Sequence, residues 1–76
     1  MRDFVDFLVR QIVDESSYEI VMLDDGDNVD IKVYVDKDKV ARLIGKSGRL
    51  AKAIRTIVKA AAQGSDRRYD VYIEER

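Results

Sequence analysis

Hydrophobic residues along this chain recur first at helical and then at strand spacing, and the changes of period mark out its elements. Phe4, Val5, Leu8, Val9, Ile12 and Val13 return at three- and four-residue intervals, which predicts an amphipathic helix from about Asp3 to Val13. Asp3 suits its N-cap, Asp6 suits the positive end of the helix dipole, and the Ser16-Ser17 pair ends it. Tyr18 to Leu23, rich in β-branched and large apolar side chains, reads as a strand. Asp24-Asp25-Gly26-Asp27-Asn28 is turn chemistry, so a hairpin is expected. From Val29 to Val35 the alternation is almost perfect and sets Val29, Ile31, Val33 and Val35 on one buried face.

Beyond this strand, Asp36 or Asp38 can cap a short helix running to about Leu43, and Gly45 and Gly48 then interrupt the pattern. A longer helix follows from about Arg49 to Gln63 and stops at Gly64. Tyr69 to Ile73 alternates again and makes the last strand. The order α-β-β-α-α-β predicts an α+β fold, a three-stranded mixed sheet covered on one face by three helices. The connection through two helices is long enough for a crossover, so the last strand should run parallel to its neighbour. No linker, repeat or low-complexity segment divides the chain, and residues 1–76 are expected to form a single domain.

Composition narrows the chemistry. Seventy-six residues lie near the lower limit for a core that needs no staples. With no Cys and no His, disulfides, thiolate zinc sites, Cys or His nucleophiles and imidazole acid–base catalysis are all excluded. No metal site, no cofactor and no catalytic residue is expected. The first residues break their apolar run with Asp3 and Asp6, nothing resembles a signal peptide or a membrane span, and a cytoplasmic protein without membrane contact is expected.

Charge changes the picture more. The whole chain carries −1, but the segment from Lys37 to Gln63 holds Lys37, Lys39, Arg42, Lys46, Arg49, Lys52, Arg55 and Lys59 against Asp38 alone, a local +7. A solvated helix face is the ordinary use of Lys and Arg. Here the near absence of acids within the segment argues against ion pairing along the helix as its main purpose. A basic segment in an acidic body presents a local field to an anionic partner.

The densest part of that segment is Ile44-Gly45-Lys46-Ser47-Gly48-Arg49, a Gly-x-x-Gly turn between two helices. Its glycines let a backbone approach closely, and the start of the second helix offers amides and the positive dipole end to an anion. Lys46 and Arg49 add charge and the Ser47 hydroxyl can donate to a phosphate oxygen. Counting about 100° per residue from Arg49, the bases Lys52, Arg55 and Lys59 fall at about 240–300°. Leu50, Ile54, Ile57 and Ala61 fall at about 80–140°, the expected packing stripe. Loop and basic stripe together make a track for a phosphodiester backbone, which gives affinity without base identity. A nucleotide-binding P-loop fails as a rival: its first glycine would stand at Val40, and a helix rather than a strand precedes the turn.

With this loop, the Ala51-Lys52-Ala53-Ile54-Arg55 run and the α-β-β-α-α-β order, the whole chain resembles the type II KH domain, specifically the stand-alone KhpA-like proteins of bacteria. The resemblance implies a non-enzymatic, single-stranded RNA-binding protein, a post-transcriptional regulator or RNA chaperone, whose loop clamps about four nucleotides. Carried over by position, Gly45, Lys46, Ser47 and Gly48 form the clamp, with Arg42, Ile44, Arg49, Lys52 and Arg55 around it. Val40, Leu43 and Ile44 become candidates for the apolar groove floor, and Tyr72 for base stacking. Core packing accounts for Val40, Leu43, Leu50 and Ile54 better than ligand contact does, and Ile44 is divided between the two. An ordinary surface position is the plainer reading of Tyr72. The resemblance further implies partnership with a larger Jag-type KH protein, or a homodimer. A protein-interaction module with RNA binding secondary therefore stands as the alternative function.

Overall fold

The computed structural model describes all 76 residues. The elements are α1 (Arg2–Arg10), β1 (Tyr18–Asp24), β2 (Asn28–Val35), α2 (Val40–Ile44), α3 (Arg49–Ala61) and β3 (Arg68–Glu75), in the expected order. Short 3-10 turns at Glu15–Ser17 and Lys46–Gly48 lead into β1 and α3. β2 lies at the centre of the sheet, antiparallel to β1 and parallel to β3, with Ile31 opposite both Met22 and Val71. The sheet is thus mixed, and the crossover through α2 and α3 brings β3 back beside β2.

The core follows from the alternation in β2. Val29, Ile31, Val33 and Val35 are all at most 2% exposed. Val5, Val9 and Val13 pack on them from the N-terminal segment, Leu43 from α2, and Ile54 and Val58 from α3. All three helices feed one cluster and so cover one face of the sheet. Each buried aliphatic side chain contributes on the order of 1.5–3 kcal/mol of transfer free energy. The opposite face carries the other phase of the strands, including Val21, Lys32, Tyr34 and Tyr72. No helix is long and apolar enough to cross a membrane.

Several boundaries differ from the sequence expectation. α1 begins at Arg2 with Met1 as N-cap, not at Asp3, and ends at Arg10, although Val13 remains buried beyond it. Neither Asp36 nor Asp38 caps α2. Its N-cap is Lys39, and the Asp36 carboxylate instead takes Arg76 Nε at 2.7 Å. α3 stops at Ala61, short of Gln63. Its packing stripe is also rotated: Ala51, Ile54 and Val58 are buried, whereas Ile57 is 43% exposed and Ala61 is exposed. The buried positions thus centre about 140–200° from Arg49, with Ile54 and Val58 in the core cluster, rather than at 80–140°.

Two polar latches close the molecule. Tyr18 donates its hydroxyl to Asp6 Oδ1 at 2.6 Å, tying β1 to α1. Burial, then that carboxylate, pushes the Tyr18 phenol up to about 12. The second latch is the acidic hairpin turn, where Asp24 and Asp25 carboxylates accept the Gly26 and Asn28 amides. Arg67 pairs with Asp24 and donates through Nε to the Gly26 carbonyl at 3.0 Å. The Gly26 amide, and then Arg67, hold the Asp24 carboxyl below the usual carboxylate value.

Candidate nucleic-acid interface

The loop between α2 and α3 takes its shape from its backbone. Gly45 has φ 80° and ψ 174°, and a Cβ there would stand 2.6 Å from Leu50 Cβ. Only glycine fits that turn, because both the angle and the space exclude a side chain. Ser47 (φ 57°, ψ 26°) and Gly48 (φ 73°, ψ 10°) are both left-handed, so the chain reverses within three residues and α3 can start. For a serine this conformation costs on the order of 1–2 kcal/mol. Nothing in the residue type signals it, and it was not legible in the sequence.

That reversal leaves the start of α3 open. Gly48 is the N-cap and has no side chain to bond the first amides, and the first turn contains no acid. The positive dipole end is therefore uncompensated and faces the loop. Lys46, Ser47 and Arg49 are exposed around it, and Arg42 and Lys52 are exposed on the flanking helices. None of the eight bases from Lys37 to Lys59 takes part in an ion pair, whereas all five ion pairs of the molecule lie outside this segment.

Arg55 behaves differently from its neighbours. Its Nε donates to the Val71 carbonyl of β3 at 3.1 Å, so this guanidinium bridges α3 and the strand, while its other donors join no ion pair. The expected site residues thus divide into free bases near the loop (Arg42, Lys46, Arg49, Lys52) and one anchored base beside β3.

The whole-chain match fits this geometry. The family model described as "KhpA/KhpB, KH domain" matches residues 2–73. The chain belongs to the KhpA/KhpB KH-domain family. Among curated relatives, the RNA-binding protein KhpA of Listeria monocytogenes is 33% identical over 76 residues, 99% of this chain and 100% of its own. The protein of the same name from Halalkalibacterium halodurans is 36% identical over 69 residues, covering 90% of this chain and 91% of that one. That of Treponema pallidum is 32% identical over 72 residues, 93% and 90% of the two chains. No solved structure matches.

Within this KH fold the apolar groove candidates separate by burial. Leu43 is fully buried and Ile54 nearly so, while Val40 and Leu50 pack half-buried against the core. Ile44, at the last position of α2 and 36% exposed, is the one with surface to offer beside the loop. Tyr72 is 44% exposed, but it follows the buried Val71 and so belongs to the sheet face away from the helices. On the outer side of α3, Arg49, Lys52, Ala53, Thr56 and Ile57 line an open hollow of about 370 Å³ that the sequence reading did not foresee.

Proposed function

We propose that this chain, acting as one KH domain over residues 1–76, binds single-stranded RNA without catalysis through the Gly45-Lys46-Ser47-Gly48 loop. The observation that carries the reading is the set of bases around that loop with no carboxylate against any of them. Unpaired cations beside an uncapped helix start favour phosphate. The loop clamps the backbone, Arg42, Arg49 and Lys52 follow it, and Ile44 and Arg55 border the bases. Relatives in the same family carry the name RNA-binding protein, which supports the same ligand here. The proposed setting is the cytoplasm, and the role is post-transcriptional regulation or RNA chaperoning.

Pairing is a second part of the reading. The hollow on α3, with Ile57 exposed in it, favours self-association or docking to a larger KH partner, secondary to RNA. Sedimentation at two protein concentrations, with and without RNA, measures it.

The RNA reading is tested by titrating a short unstructured RNA at several salt concentrations. Four to six phosphate contacts give a slope of about −3 to −4 for the logarithm of the binding constant against that of salt. Binding indifferent to salt would overturn the phosphate track.

A further inference from the structure

α3 leads away from the loop and β3 returns beside it, as the Arg55 bridge to Val71 shows midway. At the far end the two elements enclose a pocket of about 220 Å³ lined by Lys59, Ala62, Arg67, Arg68 and Tyr69. Three of these five residues are cationic and none is acidic. Lys59 has no ion-pair partner. Arg68 is paired to Asp70 only through Nε, with its side chain 72% exposed, and Arg67 spends Nε and Nη2 on the hairpin turn. Free donors therefore remain on all three. Tyr69 adds an aromatic wall whose hydroxyl makes no hydrogen bond within the molecule.

The pocket and the loop lie at opposite ends of α3, and Lys52 and Lys59 share one helix face between them. Lys59 lies about 20° from Lys52 around α3 and about 15 Å along the axis from Arg49. A clamp for about four nucleotides occupies the loop end. Resting on the RNA reading above, we propose that the Lys59–Arg68 pocket is a second phosphate subsite, which takes a nucleotide of the same RNA strand beyond those held by the loop. Cationic donors beside a ring match one phosphate with its attached sugar or base. The footprint on RNA is accordingly longer than the loop alone provides.

The test compares the full chain with Lys59→Ala/Arg68→Ala, sparing Arg67 because it holds the hairpin turn. Each is titrated with an unstructured tetranucleotide and with a ten-nucleotide RNA, following amide chemical shifts, and melting checks the fold. The double variant should bind the longer RNA about five- to tenfold more weakly, with a salt slope shallower by about 1.4 for two lost contacts. Its affinity for the tetranucleotide should be unchanged. Signals of Lys59 and Arg68 should shift with the longer RNA and stay in place with the tetranucleotide or with a nucleoside monophosphate at the same concentration. Equal weakening on both lengths, or on neither, would overturn the subsite while leaving the loop clamp standing. Saturation of the pocket by the monophosphate alone would overturn it too, in favour of a free-nucleotide site. If the parent bound neither RNA, the RNA reading itself would fall.

Discussion

Between Lys37 and Lys59 eight bases stand without a single ion pair, whereas five of the six bases elsewhere are paired to carboxylates. The two regions use charge in different ways. In the acidic body Arg67 and Arg76 each join an ion pair to hydrogen bonds that tie distant parts of the chain together. In the basic segment the charges hold nothing in place, apart from Arg55, and stay available to an outside anion. Exposed ion pairs add little stability each, so the difference shows more in binding than in folding. The stability of the basic segment rests instead on Leu43, Ala51, Ile54 and Val58 beneath it and on the backbone of its loop.

The largest expected effect comes from that backbone. Gly45→Ala should destabilise the protein by about 2–4 kcal/mol, through a disfavoured angle and a clash with Leu50. Gly48→Ala meets nothing within 4 Å and should cost only about 1 kcal/mol, the ordinary cost of a left-handed alanine. Denaturant unfolding of both variants compares them. Equal costs would mean that the loop shifts freely and that its shape is not set by the Gly45–Leu50 approach.

A second prediction probes the body. The Tyr18 phenol is held up to about 12, first by burial and then by the Asp6 carboxylate, above its ordinary value of 10.0. Folding therefore favours the protonated form. Its contribution, at most about 2–3 kcal/mol, is fully present below pH 10 and is lost as pH rises from there through 12. Tyr18→Phe should lower stability at neutral pH by about 1–2 kcal/mol and remove this part of the alkaline decline. Unfolding series of parent and variant from pH 8 to 12 read the difference. Parallel curves would break the assignment.

The smallest effect has opposite signs in the two measurements. Arg49 places positive charge at the start of α3, against the helix dipole. Arg49→Gln should therefore raise stability by about 0.5 kcal/mol while weakening RNA binding severalfold. A fall in both would place Arg49 in the structural charge network, and the contrast between the two regions would weaken.

Much of this was legible in the sequence where one pattern dominated. Val29, Ile31, Val33 and Val35 alternate cleanly, and all four are buried as expected. The glycine pair and the missing acids located the loop between two helices, and the length of the connection specified the parallel strand. The register of α3 was not legible. Leu50, Ala51, Ala53, Ile54, Ile57, Val58 and Ala60 to Ala62 spread apolar groups over an arc of about 200°, so hydrophobicity does not fix which part of that broad face is buried. The burial falls on Ala51 and not on Ile57. Tertiary polar contacts were equally hidden, because neither the bond from Arg55 to the Val71 carbonyl nor the capture of Asp36 by Arg76 follows from local spacing.

The central claim, that an exposed and uncompensated loop is the RNA clamp, meets its most direct test in Lys46→Asp/Ser47→Asp. Both side chains are exposed and neither makes a side-chain hydrogen bond or ion pair, and carboxylates suit the start of a helix, so the variant should melt at or slightly above the parent. Two carboxylates beside the start of α3 reverse the local sign of charge facing the phosphates. Fluorescence anisotropy with a short unstructured RNA at low salt should show affinity reduced by about tenfold or more. A folded double variant that binds this RNA as tightly as the parent would contradict the account.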